Sequence, residues 1–239
     1  MTFYTRSKSI DESSSDGGAG GVTFYNRALE KGRSNYDVAN RWVTYATYEL
    51  PFGHGKSLMA NANRWVDGFL GNWSISAIQT LESGVPGGFS TSGSPNVFLP
   101  GTVRPDMAPG MTYDDVQIAW DGKGPCRFIP TCSLPAYNLN AFAYPASFKP
   151  GQSGRNIING PTLFWHQLSL SKQFVVRERG RISLRLDVNN PWKHYFFNRP
   201  NTAVNFTSPT TFGKITGTQG QFSGQGGQFY MHAIFKFEF

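Results

Sequence analysis

Arg181-Ile182-Ser183-Leu184-Arg185-Leu186-Asp187-Val188-Asn189-Asn190 alternates apolar and polar side chains almost without a break. Period two is the mark of a strand with unlike faces. It puts Ile182, Leu184, Leu186 and Val188 on one side and Ser183, Arg185, Asp187 and Asn189 on the other. The stretch 229–239 repeats the pattern, with Phe229, Met231, Ala233, Phe235, Phe237 and Phe239 against Tyr230, His232, Ile234, Lys236 and Glu238. Residues 72–82 set Trp73, Ile75, Ala77 and Leu81 opposite Asn72, Ser74, Ser76, Thr80 and Glu82. In 163–175, Phe164, Leu168, Leu170 and Phe174 oppose Gln167, Ser169, Ser171 and Gln173, but His166 and Lys172 interrupt the apolar side, so this is the least regular of the four. Residues 41–50, rich in Trp, Tyr, Val and Thr, and the shorter 2–9 bring the expected strands to six. Strands of about 10 residues suit a tilted bilayer crossing and fit a large sandwich equally well.

The connections between these strands alternate in length. Residues 50–72 hold one short amphipathic helix around 65–70, and 177–180 is a tight turn. By contrast 10–40, 84–161 and 191–228 are long, and the middle one carries 11 of the 15 prolines and both cysteines. Long loops without structure of their own are uncommon in compact soluble domains. Outer-membrane barrels use short turns on one side and long loops on the other, and six strands ending on a downward one have the matching parity.

Composition agrees. Of 239 residues, 20 are Phe, 10 Tyr and 6 Trp, with 27 Gly and 15 Pro. Charged residues make up 15%, against about 25% in an ordinary soluble domain. This excludes a coiled coil, a helical bundle, a disulfide-rich miniprotein and a charged disordered tail. The net charge of +7 is spread along the chain, with one local cluster at Arg177, Arg179, Arg181 and Arg185 that reads as a solvated turn running into a polar strand face, so no nucleic-acid partner is expected. No window is long and apolar enough for a transmembrane helix. Residues 1–15 lack the apolar core of a signal peptide and carry Asp11 and Glu12, so the chain is expected to be either cytoplasmic or the back part of something longer.

Chemistry is sparse. Gly53-His54-Gly55-Lys56-Ser57 lacks the upstream glycine of a phosphate-binding loop, because Leu50 stands there. His54, His166, His194 and His232 have no metal-ligand spacing to one another or to the cysteines. No catalytic residue, metal site or cofactor is expected. Cys126 and Cys132 would close a small disulfide ring in an oxidising exterior, with free or metal-binding thiols as the alternative.

Several motifs carry a family resemblance. Ser34-Asn35-Tyr36-Asp37-Val38, Arg41-Trp42-Val43, Tyr48-Glu49-Leu50-Pro51-Phe52-Gly53 and Gly55-Lys56 come first. Then follow Gly71-Asn72-Trp73-Ser74-Ile75-Ser76, Ser83-Gly84-Val85-Pro86 and Gly154-Arg155-Asn156. Leu168-Ser169-Leu170-Ser171-Lys172, Asn198-Arg199-Pro200-Asn201-Thr202 and Phe212-Gly213-Lys214-Ile215-Thr216 complete the series. Together they resemble the C-terminal barrel of TonB-dependent receptors, in the branch with a carboxypeptidase-regulatory-like domain ahead of the plug.

The resemblance implies an all-β fold: an antiparallel transmembrane β-barrel, of which these 239 residues form a C-terminal part of about six strands. Signal peptide and plug would lie upstream, and Met1 would be internal. The cell outer membrane would be its location, with lipid around it and energised uptake of a scarce, unidentified ligand as its work. TonB would act only through the missing plug. The barrel-assembly machinery would read the terminal strand at Phe229, Met231, Ala233, Phe235, Phe237 and Phe239, plausibly as an added edge strand. Arg181, Arg185, Asp187, Lys236 and Glu238 would face the lumen, and 84–161 would be the chief contributor to ligand contact. Trp42, Tyr48, Trp65, Trp73 and Trp165, near strand ends or turns, would form a membrane-interface girdle. Two rivals stand beside this reading: a soluble β-sandwich carbohydrate-binding module, and a structural or adhesive outer-membrane barrel without transport.

Overall fold

The structure, a computed structural model, describes residues 1–14, 26–92, 103–118, 135–176, 180–218 and 229–238. Its largest element is a six-stranded antiparallel sheet in which chain neighbours are also neighbours in space. The strands are β1 (Thr2–Arg6), β2 (Asn40–Glu49), β3 (Trp73–Glu82), β4 (Leu163–Val176), β5 (Gly180–Asn189) and β6 (Tyr230–Glu238). All six expected strands are present, and only β1 is markedly shorter than the expected 2–9. Within the sheet each of β1 and β6 pairs on one side only, so the sheet is open rather than closed into a barrel.

The least regular segment turns out to be the longest strand and a central one. β4 runs for 14 residues and pairs with both β3 and β5. Its two misplaced polar side chains are accommodated locally. His166 packs edge-on against Phe164, ring centres 4.1 Å apart. Lys172 is 1% exposed, donates from Nζ to the Gly71 carbonyl, and lies 4.9 Å from the centre of the Phe174 ring and 5.5 Å from that of Trp73. The aliphatic stem thus stays among apolar groups while the charge finds a backbone oxygen and two ring faces.

At the end of the sheet where β2 leads into β3, the expected helix forms at Arg64–Leu70. Asn63 caps it, its Oδ1 accepting from Val66 N at 2.9 Å. Gly53 fastens the preceding turn: at φ +119 it lies so close that a Cβ would meet Asp67 Oδ1 at 2.6 Å. No helix of the described residues is long and apolar enough to cross a membrane.

The three long connections all leave the opposite end of the sheet, and their described residues are folded. Short ladders join Ile10–Asp11 to Gly32–Arg33, Pro86–Gly87 to Ile158–Asn159, Ser90–Thr91 to Ala203–Val204, and Asp106–Met107 to Phe142–Ala143. The main hydrophobic core lies among these loops rather than in the sheet. Phe89, Val116, Tyr137, Ala141, Phe142, Ile158, Val204 and Phe212 are buried together. The Phe89 ring centre sits 4.4 Å from Phe142, 5.1 Å from Tyr137 and 6.0 Å from Phe212. Tilted and edge-on rings at these separations are favourable aromatic pairs. Burial in this core pushes the Tyr137 hydroxyl up to about 12.

Candidate functional site

Register turns the period-two pattern into two continuous surfaces. On one face, Ala46, Ala77, Leu168, Val188 and Met231 align across five strands, and Ile75, Leu170, Leu186 and Ala233 form the next row with Tyr48. Trp42 and Tyr4 flank these rows toward the loops, as an edge-to-face pair 6.1 Å apart. Trp73, Phe174, Phe235 and Phe237 flank them at the other end. This face stands open: Tyr48, Ile75, Leu81, Leu184, Phe235 and Phe237 are all exposed. An aliphatic belt between aromatic rims is the pattern of a surface spanning a bilayer from interface to interface.

The opposite face is polar. Thr47, Ser76, Ser169, Asp187 and His232 form one row, Glu49, Ser74, Ser171, Arg185 and Ile234 the next. Ser169 Oγ donates to Asp187 Oδ1 at 2.5 Å and Arg185 Nε to the same oxygen at 2.7 Å. Arg41 pairs with Glu82 at 2.9 Å toward the loops, and Lys236 with Glu238 at the far end. Burial runs opposite to a soluble domain: Ser169, Asp187 and Asn189 on this face are buried while the apolar face is open.

The expected site residues divide accordingly. Met231, Ala233, Phe235 and Phe237 lie on the apolar face, and Phe229 just precedes β6 with Lys193 Nζ 5.3 Å from its ring centre. Phe239, Cys126, Cys132, Arg177 and Arg179 lie outside the described residues. Arg181, Arg185, Asp187, Lys236 and Glu238 share the polar face, where Arg181 stands opposite Glu238. The girdle expectation needs one correction. Trp165 pairs with Thr80 on the polar face, because it is one residue out of phase with Phe164 and His166.

Above the sheet, the loops are latched by charged and amide groups. Arg155 Nη1 donates to Asp11 Oδ1 and to the Asp11 and Glu30 carbonyls, and Nη2 to Ser14 Oγ at 2.6 Å. Asn156 Nδ2 donates to the Arg33 carbonyl, while Arg33 Nε reaches Asp37 at 2.9 Å and Nη1 reaches Asn159 at 2.6 Å. Glu30 and Arg104 form a buried ion pair at 3.3 Å. Burial acts to raise the Asp11 and Asp37 carboxyls, yet both end below the ordinary value of 3.8, Asp11 through Arg155, Ser14 and Ser34, and Asp37 through Arg33 and the Ser9 N–H.

A carboxyl depressed by folding stabilises the fold in full above its unfolded value and loses that contribution as pH falls through its folded value. The latch should therefore hold in full above the ordinary carboxylate range and loosen as pH falls below 3.8. Amide hydrogen exchange within residues 26–37, corrected for its intrinsic dependence on pH, slow at the higher pH and fast at the lower, is the expected result. Asp37→Asn should abolish most of the pH step; an unchanged step would remove Asp37 from the latch.

Comparison with known proteins now decides the family. A family model described as an outer membrane beta barrel domain matches residues 1–225. The chain belongs to that family. No curated protein and no solved structure matches it. This outer-membrane barrel protein therefore resides in the outer membrane, and its belt of aliphatic and aromatic side chains has lipid as its natural counterpart. A soluble sandwich is not the architecture of that family.

Proposed function

We propose that this outer-membrane barrel is part of a TonB-dependent receptor and serves energised uptake of a scarce ligand. The observation that carries the reading is the loop assembly: on one side of the sheet two of the long connections share a hydrophobic core, and all three contribute residues to one polar pocket, as a ligand-receiving surface requires. The motifs that resemble the receptor family support it. Arg155, Asn156, Arg199 and Asn201, quoted from those motifs, are the residues that tie loops together or back onto Pro86 and Lys214. In this reading the polar sheet face lines the lumen around a plug, the barrel-assembly machinery reads β6, and TonB supplies energy through the plug. No catalysis and no cofactor belong to this role.

The test is partner capture in cells. Formaldehyde cross-linking of the protein in its native outer membrane, followed by mass spectrometry, should recover TonB in the adduct. A protein correctly assembled in the membrane yet never linked to TonB would instead be a structural or adhesive barrel.

A further inference from the structure

A pocket of about 290 Å³ opens within the loop assembly, lined by Glu30, Gly88, Arg104, Arg155, Arg199 and Thr202 among others. Three guanidinium groups reach it against one carboxylate, and they are not equally engaged. Arg155 is committed to Asp11, Ser14 and the Glu30 carbonyl. Arg104 is not. Its side chain is 6% exposed and only Nη2 reaches Glu30, at 3.3 Å, while Nε and Nη1 have no hydrogen-bond partner. Buried donors normally find an acceptor, and an unsatisfied pair on a charged group is costly.

Arg199 is the third. It is exposed, donates from Nη1 to the Pro86 carbonyl at 2.8 Å, and makes no ion pair among the described residues. Its placement depends on a bare backbone, since a Cβ on Gly87 would lie 1.8 Å from Nη1. With Glu30 set against Arg104 and Asp11 against Arg155, the Arg199 charge is left over at the pocket wall.

We propose that this pocket binds an oxyanion, a phosphate or carboxylate group, held chiefly by Arg199 and Arg104. Arg104 Nε and Nη1 are closed off from solvent, so an oxyanion meets the uncompensated Arg199 charge at the wall first and engages the idle Arg104 donors as that guanidinium turns toward it. The planar guanidinium fork matches two oxygens of one phosphate or carboxylate. Burial works against the Arg104 charge, the Glu30 carboxylate partly restores it, and Arg155 opposes it further, so an added anion relieves a site already crowded with cations. Naming this oxyanion as the cargo rests on the receptor reading, whereas the binding itself does not.

The test uses the protein as the cell makes it, extracted from outer membranes in neutral detergent and titrated calorimetrically. Three probes serve: inorganic phosphate, citrate, and phosphatidylglycerol added to the micelles. Saturable binding that weakens at least tenfold in Arg199→Gln, falls with added salt, and is unchanged in Lys214→Gln is the expected result. Among the described residues the Arg199 side chain is tied to the fold by its hydrogen bond to the Pro86 carbonyl, so its variant should fold even if Arg104→Gln does not. Binding of phosphate or citrate identifies a soluble anion, and binding of phosphatidylglycerol alone identifies a lipid headgroup; either supports the site when Arg199→Gln abolishes it. No saturable binding of any probe, or binding indifferent to Arg199→Gln, overturns it. None of these readouts involves TonB, so failure here and failure of the transport reading are separable.

Discussion

Phe89→Ala should unfasten the loop assembly while leaving the sheet paired. Phe89 is 2% exposed and its ring is shared by Tyr137, Phe142 and Phe212, side chains drawn from separate stretches of chain. Truncating a buried phenylalanine costs about 3–5 kcal/mol, transfer and cavity terms together. Such a loss exceeds the stability available to a local cooperative unit built on one small core, so the loops should open independently of the strands. Two measurements check it. Proteolysis within residues 103–118 should accelerate by two orders of magnitude or more, the equivalent of about 3 kcal/mol at tenfold per 1.4 kcal/mol. Tyr137, pushed up to about 12 by burial, should titrate nearer its ordinary 10.0 in the variant, followed by its phenolate absorbance. Tyr36→Ala, at a side chain 76% exposed, should change neither. If Phe89→Ala leaves the loops as protected as before, the ring cluster does not hold them.

The uneven legibility of this chain follows from the range of its contacts. A strand writes its faces into consecutive residues, so 181–190 announces the polar face that Asp187 and Arg185 occupy and the apolar one that Leu184 and Leu186 occupy. β4 looked irregular because His166 packs against the Phe164 ring and Lys172 is held by Gly71, Trp73 and Phe174, and Gly71 and Trp73 lie outside the strand's own alternation. The loop core has no period at all. Phe89, Tyr137, Phe142 and Phe212 meet only because three loop segments converge, and nothing in their spacing says so. The arginine pocket is hidden in the same way: Arg104, Arg155 and Arg199 lie far apart in sequence, while the basic cluster visible along the chain, around Arg181 and Arg185, belongs to the end of a strand. The one signal in the sequence is that Arg155 and Arg199 stand within motifs that resemble those of a receptor family. Their work in the structure is to bind loop to loop.

Leu170→Arg should produce the largest effect in the sheet. Leu170 stands at the centre of the longest strand, on the face where Ile75 and Leu186 are its cross-strand neighbours. In an outer-membrane barrel that position meets the middle of the hydrocarbon. An arginine on the lipid face at the midplane costs about 2–4 kcal/mol, falling toward the interfaces. Gln173, on the same strand but the opposite face, lies beside Ser183 and is exposed. Gln173→Arg should cost within about 0.5 kcal/mol. The pair of variants therefore contrasts a lipid-facing site at mid-strand with a polar-facing one near the aromatic rim, so face and depth both enter. Urea titration of the protein refolded into phospholipid vesicles should separate the two by at least tenfold in the folding equilibrium, with Leu170→Arg the weaker. Equal losses would mean that the two faces see the same solvent, which would contradict a bilayer on one side. A loss confined to Gln173→Arg would reverse the assignment of faces altogether.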